Sequence, residues 1–177
     1  MSFLSELRDR KNKLKETETI VTKADGQRFV EKANSGVVGT LEPCFGFVVD
    51  TNPDNVPVEV IQHLFIGSQD CTLSSVLEKY NIESILSVGI NVGVDVDHKY
   101  VQCLDLPETD ISPVLRECFP FIYAVIESGK NILVHCNAGV SRTSMVAIGY
   151  LMQCKNMSFD DAYKLVKSKR PAIQPNP

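Results

Sequence analysis

His135-Cys136-Asn137-Ala138-Gly139-Val140-Ser141-Arg142 places one thiol and one guanidinium on either side of five small or uncharged residues. Residue types at this spacing suit an oxyanion. Successive amide N–H groups of a short curled loop converge on one point. A helix starting near Ser141 adds its positive end to that point. Arg142 adds a planar fork of donors matched to two phosphate oxygens. The same fields favour the thiolate, which is the nucleophilic form of cysteine. Cys136 therefore reads as a thiolate aimed at a bound phosphorus. The alternative is a strand-end cysteine that merely packs as a small hydrophobe, which would leave the His, Gly and Arg spacing to coincidence.

The neighbouring residues supply the elements that such a loop needs. Ile132-Leu133-Val134 reads as a buried strand before it, and Met145, Val146, Ile148, Leu151 and Met152 as a buried central helix after it. Upstream, Leu64–Gly67, Ile85–Val88 and Tyr100–Leu104 read as apolar strands. Leu73, Val76, Leu77 and Tyr80 mark one helix face between the first two. Ser112-Pro113 reads as the cap of a helix that runs to Ser128, with Val114, Cys118, Ile122, Val125 and Ile126 inward. Pro120 inside it is expected to kink that helix or delay its start. Ser158 opens a last helix through Ala162, Leu165 and Val166, ending before Arg170-Pro171. The pattern predicts an α/β fold with a mostly parallel sheet of about four or five strands flanked by helices. Ligands of such sheets sit beyond the carboxyl ends of the strands, where the loop from His135 must lie.

Residues 1–55 read as an N-terminal extension. Its first segment, to Thr17, is expected to be helical, with Leu4, Leu7 and Leu14 on one side. The cluster Arg8, Arg10, Lys11, Lys13 and Lys15 is either a solvated face or a docking segment for an acidic partner. Ala24-Asp25-Gly26 signals a hairpin between Ile20-Val21 and Phe29-Val30, and Ala33 to Asn55 reads as a connection. Residues 56–177 read as the catalytic domain.

Composition bounds the function. The chain has 177 residues and a net charge of −4, which gives no reason to expect nucleic-acid binding. No apolar run is long enough to span a bilayer, and Met1–Arg10 lacks the apolar centre of a signal peptide. The six cysteines, Cys44, Cys71, Cys103, Cys118, Cys136 and Cys154, contain no Cys-x-x-Cys pair, which argues against zinc and against a disulfide framework. A reducing compartment is expected: the cytoplasm, with the nucleus as a second location. His63 and His98 read as surface or packing residues.

The His-Cys-x5-Arg signature after an apolar strand, followed by Gly149-Tyr150-Leu151-Met152, resembles the cysteine-dependent dual-specificity protein phosphatases. The resemblance covers roughly Val58 to Asn176 and leans to the small atypical branch around stress-activated MAP kinase pathways. It implies hydrolysis of phosphotyrosine and phosphoserine or phosphothreonine through a cysteinyl-phosphate, with no metal or other cofactor. Cys136 would be the nucleophile. Arg142 and the amides of Asn137, Ala138, Gly139, Val140 and Ser141 would hold the phosphate. Asp105 matches the family's general acid, with Asp110 and Glu108 as rivals. Asp110, before Ile111, also matches a helix cap. Thr143 stands where the family places a hydroxyl, more often serine, that stabilises the departing thiolate, so a slower second step is expected. His135 would orient the loop, and Cys103 could form a reversible disulfide with Cys136.

The implied partner is a phosphorylated protein, such as a MAP kinase or its upstream kinase, with no nucleic acid and no membrane. The loop has no lysine, which disfavours inositol lipids. Arg170-Pro171-Ala172-Ile173-Gln174-Pro175-Asn176 also follows the family pattern. Relatives then continue into a last helix, absent here, so lower stability or self-association than in a longer form is expected. The competing readings are a low-activity scaffold for stress-pathway kinases and a phosphatase for lipid, nucleotide or RNA-end phosphates.

Overall fold

The structure, a computed structural model, describes residues 18–22, 27–32, 36–41 and 54–176. The chain divides into two compact units, Met1–Cys44 and Phe45–Pro177. The helix expected up to Thr17 and the Ala24-Asp25-Gly26 turn lie outside the described residues.

In the first unit β1 (Glu18–Thr22), β2 (Arg28–Lys32) and β3 (Gly36–Leu41) form an antiparallel sheet in that order. Ile20 faces Val30 and Val21 faces Phe29, so the two runs of the expected hairpin pair with each other. The stretch 33–55 reads as a connection, but Gly36–Leu41 in it is a third strand. Its glycines hide two adjacent valines, Val37 and Val38, and a register shift at Val30/Glu31 accommodates them.

The second unit runs β4 (Val58–Ile61), β5 (Leu64–Gly67), α1 (Ser74–Lys79), β6 (Ile82–Val88), β7 (Asp97–Val101), α2 (Ser112–Glu127), β8 (Asn131–His135), α3 (Arg142–Lys155) and α4 (Phe159–Lys169). The sheet order is β4-β5-β8-β6-β7. β5, β8, β6 and β7 are parallel and β4 is antiparallel, so the mixed α/β architecture is the one expected. Alternation along the central strands divides the core in two. Leu133, Ile85 and Phe65 pack against Val76 and Leu77. Ile132, Val134, Leu86, Val88 and Ile66 pack against Ile122, Val146, Tyr150 and Val166.

The departures have local causes. β7 begins at Asp97 rather than Tyr100, because an edge strand tolerates the polar run Asp97-His98-Lys99. β4 is a short edge strand whose Glu59 breaks its apolar run. Leu73 is the exposed N-cap of α1, not part of its buried face. Ser112 lies inside α2, and the cap bond comes from Asp110, whose Oδ1 accepts the Ser112 N–H at 2.9 Å. α2 runs through Pro120 without interruption. Leu86 is fully buried between the sheet and α2–α4. Leu86→Ala should therefore lower the unfolding free energy by about 2–5 kcal/mol, measured by urea denaturation.

Candidate active site

β5, β6, β7 and β8 all end on the edge where the chain leaves His135 and curls through Cys136–Ser141 into α3. Gly139 makes the curl possible. Its φ is +66°, and a Cβ there would lie 2.5 Å from the Gly67 carbonyl and 2.7 Å from Ser68 N. No other residue combines that dihedral with that approach at low cost.

Every carbonyl from Asn137 to Ser141 accepts a hydrogen bond from the protein. Gln69 N donates to Asn137 O at 2.8 Å. Arg170 donates through Nη2 to Ala138 O at 3.1 Å and through Nε to Gly139 O at 2.8 Å. Val140 O receives Gln174 N at 3.1 Å and Ser144 Oγ at 2.7 Å. Ser141 O receives Met145 N at 3.0 Å and shares the Ser144 hydroxyl. Arg170 is itself buried and paired with Asp54, Nη2 to Oδ2 at 2.7 Å and Nη1 to Oδ1 at 3.3 Å. With the carbonyls turned outward, the amides are left for the inside of the curl. Among the described residues, none accepts from the N–H groups of Ala138, Gly139, Val140 or Ser141.

Arg142, the first residue of α3, has a fully buried side chain beneath this loop. Its Nη1 donates to Val88 O at 3.4 Å and Cys103 O at 3.5 Å, and Nε lies 3.4 Å from Asp105 Oδ2. Gly89 leaves the lane for it, since a Cβ there would collide with Arg142 Nη1 and Cys103 O. Asp105 Oδ1 accepts Ser141 Oγ at 2.6 Å and Asn176 Nδ2 at 2.8 Å. Asp105 therefore meets both the loop and its arginine. Its rivals do not: Asp110 is occupied at the start of α2, where the Ser112 N–H holds its carboxyl below the usual range, and Glu108 is exposed.

Cys136 is buried at the mouth of β8. Thr143 is fully buried in the first turn of α3, and its hydroxyl has no hydrogen-bond partner among the described residues. His135 is fully buried, with Nδ1 3.2 Å from Cys136 O and Nε2 2.6 Å from Ser87 Oγ. Burial pushes its pKa down to about 4, outweighing the Cys136 carbonyl bond, so the imidazole is neutral at pH 7. Burial pushes the Cys103 thiol up to about 11. Exchange proceeds through a thiolate, so that shift slows any disulfide formation with Cys136.

The structure places Cys136, the loop 137–141, Arg142, Asp105, His135 and Thr143 at this one sheet edge, with Asp105 against Ser141 and Arg142 and His135 against the Cys136 carbonyl. Gly89, Ser87, Ser144, Asp54, Arg170 and Asn176 escaped the sequence reading as parts of the site. Arg170 and Asn176 lie in a motif visible in the sequence; Asp54 carries no sequence signal.

A family model, "Dual specificity phosphatase, catalytic domain", matches residues 64–177. Dual specificity protein phosphatase 19 of Mus musculus is 37% identical over 172 residues, covering 90% of this chain and 77% of the relative. A dual specificity protein phosphatase of Dictyostelium discoideum is 32% identical, covering 99% of this chain and 93% of the relative. Among solved structures, DUSP15 superposes with a TM-score of 0.65 at 28% identity, covering 70% of this chain and 82% of that one. A mouse dual specificity phosphatase complexed with zinc tungstate gives 0.65 at 28% identity, covering 78% and 85%. The chain belongs to the dual specificity phosphatase family, and it is a dual-specificity protein phosphatase.

Gly139→Ala should abolish phosphatase activity while circular dichroism stays that of the wild type, because only the curl and its seat on Gly67 are disturbed. His135 gives a pH signature. Its folded pKa is below the unfolded value of 6.5, so below about pH 6.5 the unfolded chain binds a proton that the folded chain refuses. Its contribution to stability is intact above pH 6.5 and is lost as pH falls towards 4, amounting to about 3 kcal/mol. Denaturation of wild type and His135→Asn across pH 4–7 should show a shallower acid loss in the variant.

Proposed function

We propose that the chain hydrolyses phosphate monoesters on proteins through a cysteinyl-phosphate intermediate, and that its substrates belong to MAP kinase signalling in the cytoplasm. One observation carries the chemistry: Asp105 sits on the arginine of the anion loop and accepts the loop's own Ser141 hydroxyl.

The Cys136 thiolate attacks phosphorus in line, and the P–O bond to the substrate breaks. Asp105, protonated, gives its proton to the departing alkoxide or phenoxide. The inward amides and Arg142 stabilise the equatorial oxygens throughout. A water then attacks the cysteinyl-phosphate, Asp105 takes its proton, and inorganic phosphate leaves with the thiolate restored. The Thr143 hydroxyl, which has no hydrogen-bond partner among the described residues, is free to donate to that thiolate.

The protein-substrate reading rests on the family and on a loop without lysine. The MAP kinase assignment rests on the resemblance to the stress-pathway branch. A scaffold reading has one point in its favour, since a human tyrosine phosphatase-like interacting protein shares the fold at a TM-score of 0.64 and 26% identity.

Turnover separates the two readings. Cys136→Ser should remove hydrolysis of an aryl phosphate. Asp105→Ala should lower kcat by about 10²–10⁴-fold and retain phosphorylated MAP kinases or their upstream kinases from extract. An Asp105→Ala enzyme as fast as wild type would remove Asp105 from the mechanism. Retention of phosphoproteins unrelated to that pathway would remove the MAP kinase assignment.

A further inference from the structure

The ring of His135 connects in two directions. Nδ1 meets the carbonyl of Cys136 at 3.2 Å, and Nε2 meets Ser87 Oγ at 2.6 Å. Ser87 Oγ in turn lies 2.8 Å from His98 Nε2. Three side chains on three neighbouring strands, β8, β6 and β7, therefore form a line. It runs from the nucleophile's own carbonyl to a half-buried imidazole on the edge strand.

The direction of every bond in this line can be deduced. A carbonyl only accepts, so His135 Nδ1 carries its proton. The buried ring is neutral, so Nε2 is bare and accepts the Ser87 hydroxyl proton. Ser87 has only that one proton. Its contact with His98 is then a hydrogen bond only if His98 Nε2–H donates to Ser87 Oγ. Burial holds His98 below the ordinary histidine range against the opposing pull of Asp97, so a neutral His98 ring with its proton on Nε2 makes this bond.

We propose that His98 is a positioning residue for the nucleophile: by donating to Ser87 it selects the His135 tautomer that holds the Cys136 carbonyl away from the phosphate site. Without that donor, Ser87 can accept from His135 Nε2–H and give its own proton elsewhere. Nδ1 is then bare and faces a carbonyl oxygen, two acceptors repel, and the first peptide of the loop loses its tether. The loop amides that follow are aimed by that peptide. This inference rests on the assignment of Cys136 as nucleophile.

The test compares His98→Leu, which removes the donor, with His98→Gln, whose side-chain N–H reaches the position of Nε2. His98 lies on an edge strand, so melting temperatures close to wild type are expected for both. In the wild type, ¹⁵N spectra should show His135 protonated on Nδ1 and bare on Nε2. His98→Leu should shift it towards the opposite tautomer, lower kcat/KM for an aryl phosphate about three- to tenfold, and weaken inhibition by inorganic phosphate in parallel. His98→Gln should restore both. A wild-type His135 protonated on Nε2 would overturn the proposal. So would a Leu variant with unchanged kcat/KM, or a Gln variant as impaired as the Leu variant. A wild-type chain without turnover would instead remove the phosphatase reading, and the relay would then be judged on the His135 spectra alone.

Discussion

A loop that offers its amides to one point must turn its carbonyls the other way, into the protein. Buried carbonyls without donors are costly, so the anion site exists only because something behind it supplies those donors. Arg170 supplies two from a single guanidinium, Ser144 and Met145 supply them from the following helix, Gln69 supplies one from the start of a short 3-10 turn, and Gln174 supplies one from the C-terminal loop. Much of the chain between Asp54 and Asn176 serves this one requirement.

The requirement explains why two arginines are buried here. An isolated buried charge is unfavourable, and each guanidinium is compensated differently. Arg170 has the Asp54 carboxylate and two carbonyls, a satisfied set that rigidifies the back of the loop. The contacts of Arg142 to Val88 O, Cys103 O and Asp105 are 3.4–3.5 Å.

The sheet adds precision. β8 lies between β5 and β6, so the end of the strand that carries the nucleophile is fixed on both sides by parallel ladders. Gly89, just beyond the end of β6, has no side chain where the Arg142 guanidinium passes. Substitution there would act on the arginine while leaving the ladders in place.

The sequence by itself determined what depends on local order: the strand–loop–helix unit around Cys136, the amphipathic helices, and the candidacy of Cys136 and Arg142. These follow from periodicity, capping and a spacing within one short segment, whereas Asp105, far upstream, entered through the resemblance to the family. It did not show β3, β4 or the true start of β7, because short or edge strands carry polar and glycine residues that blur their pattern. Nor did it show that Asp54, distant in sequence from Arg170, neutralises it, or that Ser87 and His98 line up behind His135. Those partnerships arise from strand order and from loops that meet only at the sheet edge. A linear chain carries no record of which distant side chain will supply the one donor a buried acceptor needs, so only the tertiary structure decided how the site is held.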